Sequence, residues 1–192
     1  MATLSLNISQ WLTGTQSRST APAPRIYCAN HTSHLDVLLV LASLPRALRL
    51  NTRPVAAGDY WTAGPLRRYL TQRVFRSVLI HRDANCLNPL APVFAALREG
   101  TSLIYFPEGT RGPGGKLQPL KPGIFYIARA FPQVDIVPVR IHEAHRVLPK
   151  GALVPVPAAC SVTFGEPLRW MHHEDERTFV ERLRESMERL QE

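Results

Sequence analysis

Short apolar runs of strand length alternate along this chain with amphipathic stretches of helix length. The runs predict strands over residues 25–29, 48–56, 76–80, 102–106, 136–141 and 160–164. The other stretches predict helices over residues 36–44, 88–99, 123–131 and 175–190. Because strands and helices alternate, the pattern predicts an α/β layer fold in which helices flank a mixed, partly parallel central sheet.

Chain length and local composition suggest how the domain is organised. At 192 residues the chain has room for about one domain. Residues 13–24 are rich in Ser, Thr, Ala and Pro and predict a linker. The large apolar side chains within residues 1–12 favour either a short interfacial helix or a piece that packs on the core. We therefore expect an N-terminal segment over residues 1–24 and one folded domain over residues 25–192.

Two further patterns bear on where the protein works. The longest uninterrupted apolar run spans residues 37–42, far short of the roughly 18 residues that a membrane-spanning helix requires, and the N-terminus lacks a basic region followed by an apolar core. The three widely spaced cysteines, Cys28, Cys86 and Cys160, form no metal-finger or redox motif. We expect a protein of the reducing cytoplasm that is neither secreted nor transmembrane.

The positive charge lies in the main body of the chain and is almost entirely arginine. Residues 1–160 hold 18 basic and 7 acidic residues, whereas residues 161–192 hold 5 and 8. Arginine suits phosphate and carboxylate groups, so we expect an anionic partner: a nucleic acid, an anionic membrane surface, or a phosphorylated or CoA-like substrate. The sequence contains no nucleic-acid-binding motif and no basic-aromatic stacking platform, so we expect no nucleic acid partner.

The first candidate site is the block Asn-His-Thr-Ser-His-Leu-Asp at residues 30–36, where a predicted strand passes into a helix. Open α/β sheets bind ligands at such carboxyl ends of strands. His31 and Asp36 can meet if His31 lies in the loop and Asp36 in the first helical turn. A histidine oriented by a carboxylate is a suitable general base near neutral pH. The alternative is that Asp36 caps the helix and His31 is incidental.

Two other interpretations of this block are weaker. A metal site formed by His31, His34 and Asp36 is disfavoured because two residues separate the histidines and no histidine follows Asp36 directly, so we expect no metal. Ser33 lacks the G-x-S-x-G context of a nucleophile elbow. We interpret it as a residue of the helix start.

The second candidate site is the block Phe-Pro-Glu-Gly-Thr-Arg at residues 106–111, which also follows a predicted strand. Its proline and glycine predict a fixed turn around Glu108. Thr110 supplies a hydroxyl, and Arg111 offers two parallel donors to a phosphate or carboxylate. On its own the block is typical of a surface β-turn with a Glu/Arg pair. Its position about 75 residues after the first block favours a functional site.

Together the two blocks resemble the signature of the glycerolipid acyltransferases, the family of 1-acylglycerol-3-phosphate (lysophosphatidic acid) acyltransferases. The N-H-x4-D and F-P-E-G-T-R blocks occur there in this order, and residues 116–123 and 137–139 extend the similarity. The resemblance covers residues 25–167. The family's G-x-x-F-I-D-R block is only partly present, because residues 77–82 keep mainly its arginine, Arg82.

The resemblance implies a single-domain fold like that of glycerol-phosphate acyltransferases, and acyl-transfer activity. His31, oriented by Asp36, would take the proton from the hydroxyl of lysophosphatidic acid as that hydroxyl attacks the thioester of acyl-CoA or acyl carrier protein. These thioesters are co-substrates, and no other cofactor is implied. The residues implied to bind the substrate are Arg82, Glu108, Gly109, Thr110 and Arg111.

The resemblance also implies partners and a location. The partners are a lysophospholipid acceptor, the thioester donor and an anionic membrane surface, with the protein peripheral on the inner, cytoplasmic face of the membrane. Two alternatives stay open: a different lysolipid acceptor, or a basic lipid- or carrier-protein-binding module without activity. The arginines of residues 67–76 are compatible with anionic lipid, CoA phosphates, an acidic carrier protein or simply a solvated helix face.

Overall fold

The structure is a computed structural model that describes residues 23–61, 63–81, 86–113, 116–144 and 159–191. The interfacial helix expected in residues 1–12, most of the expected linker, and Arg82 lie outside the described residues. The division of the chain after residue 24 therefore stays a prediction. Across the described ranges, no helix is both long and apolar enough to cross a membrane.

A six-stranded sheet forms the centre of the described part of the chain. Its strands are β1 (Arg25–Ala29), β2 (Thr52–Ala57), β3 (Val78–Ile80), β4 (Ser102–Tyr105), β5 (Asp135–His142) and β6 (Ser161–Phe164). They lie in the order β3-β2-β4-β1-β5-β6. Neighbours from β3 to β5 run parallel, and β6 runs antiparallel to β5. This sheet confirms the predicted α/β fold.

Helices connect and cover the strands. They are α1 (Asp36–Ser43), α2 (Arg46–Arg49), α3 (Gly58–Trp61), α4 (Pro65–Tyr69), α5 (Ala91–Arg98), α6 (Gly123–Ala130) and α7 (Glu176–Glu188). The backbone continues from α4 into a π-helical turn, Leu70–Val74, and from α7 into a 3-10 turn, Arg189–Gln191. The four predicted helices are found as α1, α5, α6 and α7, with ends that shift by a few residues.

Alternate residues of the strands contribute to two apolar cores on the two faces of the sheet. On one face, Ile26 and Cys28 belong to a core with buried residues of α5, α6 and α7. On the other face, Tyr27 and Ala29 belong to a core with Val40 of α1. Because successive side chains of a strand point to opposite faces, β1 is buried on both sides. Because both faces are covered, a ligand can reach the sheet at the ends of its strands.

The structure corrects the predicted start of the second strand. Residues 46–49 form α2, and β2 begins at Thr52. The Arg49 guanidinium donates hydrogen bonds to the carbonyls of Ala42 (3.1 Å) and Leu44 (2.9 Å). These bonds tie the segment to the end of α1, so apolar residues that are suited to a strand form a helical turn instead.

The third strand is also shorter than predicted, because it begins at Val78 and not at residue 76. Arg76 has a φ of 50°, which belongs to the left-handed region. The amide of Ser77 donates to the carbonyl of Thr71 at 2.8 Å. The end of the π-helical turn therefore extends to the positions where the strand was expected.

Asn30 marks the point where the chain leaves β1 to form the first candidate site. Its buried side chain donates to the carbonyl of Ile141 at 3.0 Å and accepts from the amide of Ile141 at 2.7 Å. The last Cα pair between β1 and β5 is Ala29 with Val139. Asn30 therefore continues the pairing through its side chain while its main chain turns toward α1.

Asn30→Ala removes both of these buried hydrogen bonds. We expect it to lower the free energy of unfolding by about 2–3 kcal/mol, because the donor and the acceptor of Ile141 both lose their partner away from water. Denaturant unfolding followed by circular dichroism measures the loss. Gln133→Ala, at an exposed position, is the control and should change the value by less than about 0.5 kcal/mol. Equal effects of the two substitutions would contradict this role of Asn30.

Candidate active site

The loop between β1 and α1 brings His31 and Asp36 into contact. Nδ1 of His31 lies 2.8 Å from Oδ2 of Asp36. Asp36 is the first residue of α1 and is fully buried. The same carboxylate oxygen accepts hydrogen bonds from the amides of Thr32 (2.6 Å) and Ser33 (2.9 Å). The contact that the spacing of the two residues allows is therefore formed, and two main-chain amides hold the carboxylate in place.

The surroundings of the His31 ring determine which nitrogen is available for chemistry. Because Oδ2 of Asp36 accepts from two amides, it acts as an acceptor toward Nδ1 as well, so Nδ1 carries the ring proton. In the neutral imidazole, Nε2 then carries the lone pair. The ring also stacks on Phe106, with the centroids 4.2 Å apart and the planes at 24°. A carboxylate and an aromatic ring thus fix the orientation of the imidazole.

Glu108 joins the two candidate blocks from inside the protein. Its Oε1 accepts from the amide of His31 at 2.6 Å, and its Oε2 accepts from the amide of Gln118 at 2.9 Å. Burial raises the pKa of this carboxyl, and the two amide hydrogen bonds act in the opposite direction. The resemblance implies that Glu108 binds substrate, whereas here both of its oxygens contact main-chain amides. The geometry is that of a residue that positions the His31 loop.

Two glycines let the second block close against His31. Gly109 has a φ of 73°, and a Cβ at this position would lie 2.9 Å from Cε of Lys121, so any larger residue would be strained. The amide of Gly112 donates to the carbonyl of His31 at 2.8 Å. Together with the Glu108 contact, this bond means that both main-chain polar groups of His31 are held by the second block and the glycine that follows it.

A cavity of about 760 Å³ opens beside His31. His31, His34, Asp59 and Lys121 contribute polar or charged groups to its wall, and apolar residues of β2 and neighbouring segments provide most of the rest. Three of the implied substrate-binding residues line this cavity: Gly109, Thr110 and Arg111. Glu108 is not part of the lining, and Arg82 lies outside the described residues. The cavity therefore combines a basic histidine and a guanidinium with an apolar wall, which suits an amphiphilic anion.

Positive charge gathers around His34, another residue of the cavity wall. Burial lowers its pKa, the guanidinium groups of Arg111 and Arg67 lower it further, and Asp36 acts in the opposite direction. His34 is therefore neutral at neutral pH. Its ring lies 6.3 Å from the ring of Tyr60, and the Arg67 guanidinium lies 4.4 Å from the centroid of that same ring. The arginines thus supply the cationic character of this part of the site.

The sequence does not single out three groups that position His31. They are the side chain of Asn30, the ring of Phe106 and the amide of Gln118. Asn30 and Phe106 are the first residues of the two blocks, and that placement is the signal that could have identified them. The amide of Gln118 leaves no such signal, since every residue except proline carries an amide N–H.

Within the described residues, no group of three or more His, Cys, Asp or Glu side chains is arranged to hold a metal ion.

Known proteins with similar sequences are acyltransferases. The family model described as Acyltransferase matches residues 13–142. The 1-acyl-sn-glycerol-3-phosphate acyltransferase of coconut, Cocos nucifera, is 30% identical over 157 residues, which cover 79% of this chain and 48% of the coconut protein. The human 1-acyl-sn-glycerol-3-phosphate acyltransferase beta is 32% identical over 119 residues, which cover 60% of this chain and 40% of the human protein. This chain thus spans about half the length, or less, of these curated relatives.

The fold is similar to that of a solved bacterial enzyme. The crystal structure of the 1-acyl-sn-glycerophosphate (LPA) acyltransferase PlsC from Thermotoga maritima matches with a TM-score of 0.68 and 25% sequence identity. The match covers 88% of this chain and 67% of the PlsC chain. The structural similarity therefore extends over most of this chain.

Glu108→Gln replaces one of the two acceptor oxygens with an amide nitrogen, which then faces a main-chain donor. We expect faster hydrogen exchange at the amide of His31 or Gln118 and a free energy of unfolding lower by about 1–3 kcal/mol. Hydrogen exchange followed by NMR and denaturant unfolding measure these effects. Glu99→Gln, at an exposed position, is the matched control. Unchanged exchange at both amides would show that Glu108 does not hold the loop.

Proposed function

Because this chain belongs to the acyltransferase family, we propose that it transfers a fatty acyl group from a thioester to the free hydroxyl of lysophosphatidic acid. The donor is acyl-CoA or acyl carrier protein, and the product is a phosphatidic acid for phospholipid biosynthesis. The observation that carries this proposal is the His31–Asp36 pair beside a cavity that also contains Arg111. This combination suits an acceptor with a hydroxyl, a phosphate and an acyl chain.

In the proposed mechanism His31 acts as the general base. Its Nε2 takes the proton of the acceptor hydroxyl while the hydroxyl oxygen bonds to the carbonyl carbon of the thioester. Asp36 stabilises the resulting imidazolium through Nδ1. The tetrahedral intermediate then collapses, the carbon–sulfur bond breaks, and the proton passes from His31 to the thiolate. The acyl group thus moves directly from sulfur to oxygen without an acyl-enzyme.

Arg111 anchors the phosphate of the acceptor in this proposal. A guanidinium can donate two parallel hydrogen bonds to a phosphate, which fixes the direction of the ligand as well as its position. Gly109 and Thr110 line the same cavity and complete the contact, with Arg82 as a further cationic group. Glu108 contributes by holding the His31 loop. Positioning the hydroxyl against Nε2 lowers the barrier without further chemistry.

The surroundings of Tyr60 in the cavity wall disfavour a quaternary ammonium at that ring. An ammonium ligand binds best over the face of an aromatic ring. The ring of Tyr60 stacks with that of His34, and the Arg67 guanidinium lies 4.4 Å from the centroid of the Tyr60 ring. A choline group would therefore meet a cation at this place, whereas a phosphate would meet Arg111 and a neutral His34.

The proposed partners follow from the same chemistry. They are the lysophospholipid acceptor, the acyl-CoA or carrier-protein donor and an anionic membrane surface. We place the protein at the cytoplasmic face of the membrane as a peripheral enzyme. The excess of basic residues in residues 1–160 supports attraction to anionic lipid. The proposed reaction uses no further cofactor, metal or nucleic acid.

His31→Ala is expected to reduce acyl transfer by at least about 100-fold, because it removes the proposed general base. Thiol release from oleoyl-CoA measures the reaction with lysophosphatidic acid, with lysophosphatidylcholine and with no acceptor. We expect release that requires lysophosphatidic acid and disappears in the variant while its circular dichroism stays unchanged. Ser33→Ala is the control for a serine nucleophile and should keep most of the activity. Full activity of His31→Ala would overturn the proposal.

Arg111→Gln is expected to raise KM for lysophosphatidic acid by about tenfold or more, since a charge-assisted hydrogen bond contributes roughly 1.5–3 kcal/mol. The value of kcat should change less, because the substitution leaves the His31–Asp36 pair intact. Arg98→Gln, at an exposed position before β4, removes the same charge elsewhere. An unchanged KM in Arg111→Gln, measured over a range of acceptor concentrations, would exclude Arg111 as the phosphate anchor.

A further inference from the structure

Helix α4 and the π-helical turn after it present most of their side chains to solvent. Residues 63–69 are all exposed, and Thr71 is the buried residue of the turn. Three large apolar side chains of this segment are exposed to a high degree: Leu66 by 69%, Tyr69 by 60% and Val74 by 52%. Single exposed apolar residues are common, but three of them within nine residues indicate an interaction surface.

The exposed side chains mix apolar and cationic groups on one side of the helix. Leu66, Tyr69 and Arg73 follow one another at spacings of three and four residues, which place side chains on the same side of a helix. Thr71 points the other way, toward the protein, where its hydroxyl donates to the carbonyl of Arg67 at 2.8 Å. The outer side therefore combines a leucine, a tyrosine and an arginine.

The charged residues of this segment are all basic. Five arginines lie between Asp59 and Asp83 in the sequence, and no aspartate or glutamate does. Arg67, Arg73 and Arg76 are all exposed. Large apolar side chains among arginines are typical of helices that lie in the interface of a bilayer, where the apolar groups insert and the guanidinium groups contact lipid phosphates. The charge complements an anionic lipid surface.

The inner side of the same segment borders the cavity. Thr71 and Phe75 are part of the cavity lining, and so are Tyr60 and Trp61 of α3, which precedes α4. A bilayer that contacts the outer side of α4 would therefore lie next to the cavity. A lipid acceptor could then reach His31 without its acyl chain crossing water.

We propose that this segment docks the protein on an anionic lipid bilayer. The docking residues, here called the α4 surface, are Leu66, Arg67, Tyr69, Arg73, Val74 and Arg76. The inference deepens the proposed function, because it rests on a substrate that resides in a membrane, and it assigns the side of the protein that faces that membrane. An acidic carrier protein would also attract the arginines, but three protruding apolar side chains among them favour insertion into lipid.

Two variants disrupt the α4 surface without changing residues that line the cavity. The first combines Leu66→Ser and Tyr69→Ser. The second combines Arg73→Gln and Arg76→Asn, since asparagine tolerates the positive φ at residue 76. Both change exposed side chains, so circular dichroism and the thermal midpoint of unfolding should match those of the wild type.

The measurement is cosedimentation with phosphatidylcholine vesicles that contain or lack phosphatidylglycerol, with no substrate present. We expect the wild type to bind the anionic vesicles more tightly and to lose binding as salt rises. The arginine variant should bind anionic vesicles about 25-fold more weakly, since each arginine near an anionic surface contributes roughly a fivefold increase in affinity. The Leu66 and Tyr69 variant should bind them more weakly by about tenfold or more.

Matched controls come from the opposite edge of the sheet. Leu50, which is 72% exposed, precedes the amino end of β2, and Leu50→Ser removes a leucine as exposed as Leu66. Arg46→Gln combined with Arg98→Gln removes two exposed positive charges before the amino ends of β2 and β4. Both control variants should bind anionic vesicles like the wild type.

Three results would overturn this inference. They are wild-type protein that does not prefer anionic vesicles, α4 variants that bind them as tightly as the wild type, and α4 variants that lose binding to acyl carrier protein but keep vesicle binding. The variants should still acylate a short-chain acceptor dissolved as monomers while losing activity on acceptor held in vesicles. Because vesicle binding is measured without substrate, it reports on the α4 surface even if the proposed acyl transfer fails.

Discussion

One buried carboxylate holds the candidate site together. Glu108 binds the amide of His31 and the amide of Gln118, so the loop that carries the histidine is fixed by the loop after β4. Burying a carboxylate is unfavourable, and charge-assisted hydrogen bonds from amides offset that free energy. The arrangement is possible because β1 and β4 are parallel neighbours, which brings the loops at their carboxyl ends side by side.

Neighbouring residues of the loop after β4 therefore have two different roles. Glu108 and Gly112 face the protein and bind the main chain of His31, whereas Thr110 and Arg111 face the cavity. Gly109, which has a positive φ, lies between the inward-facing Glu108 and the cavity-facing Thr110. A phosphate bound by Arg111 would thus be held by the same short segment that positions the imidazole. In the proposed function, phosphate binding by Arg111 and the positioning of His31 would therefore depend on the same few residues.

Much of this architecture follows from the sequence, and the remainder depends on tertiary contacts. Apolar periodicity predicts the strands and the four longer helices, and the spacing of His31 and Asp36 predicts that they can meet. The sequence does not predict that Glu108 points into the protein. The predicted turn fixes the place of Glu108 in the chain, but not which amides its carboxylate contacts. Helix α2 is not predicted for a similar reason. The Arg49 side chain binds carbonyls at the end of a different helix, and the local sequence does not show this contact.

The partners of β1 and its loop lie far along the chain, and this separation bears on how the protein acquires its site. Asn30 binds Ile141, which is 111 residues later, and the His31 amide binds Glu108, which is 77 residues later. Contacts between such distant residues form slowly, because a long loop must close before they are gained. During synthesis the apolar β1 stays without neighbours until β4 and β5 have left the ribosome, and over that period it is prone to aggregate. The histidine loop is assembled only when the parallel part of the sheet is complete.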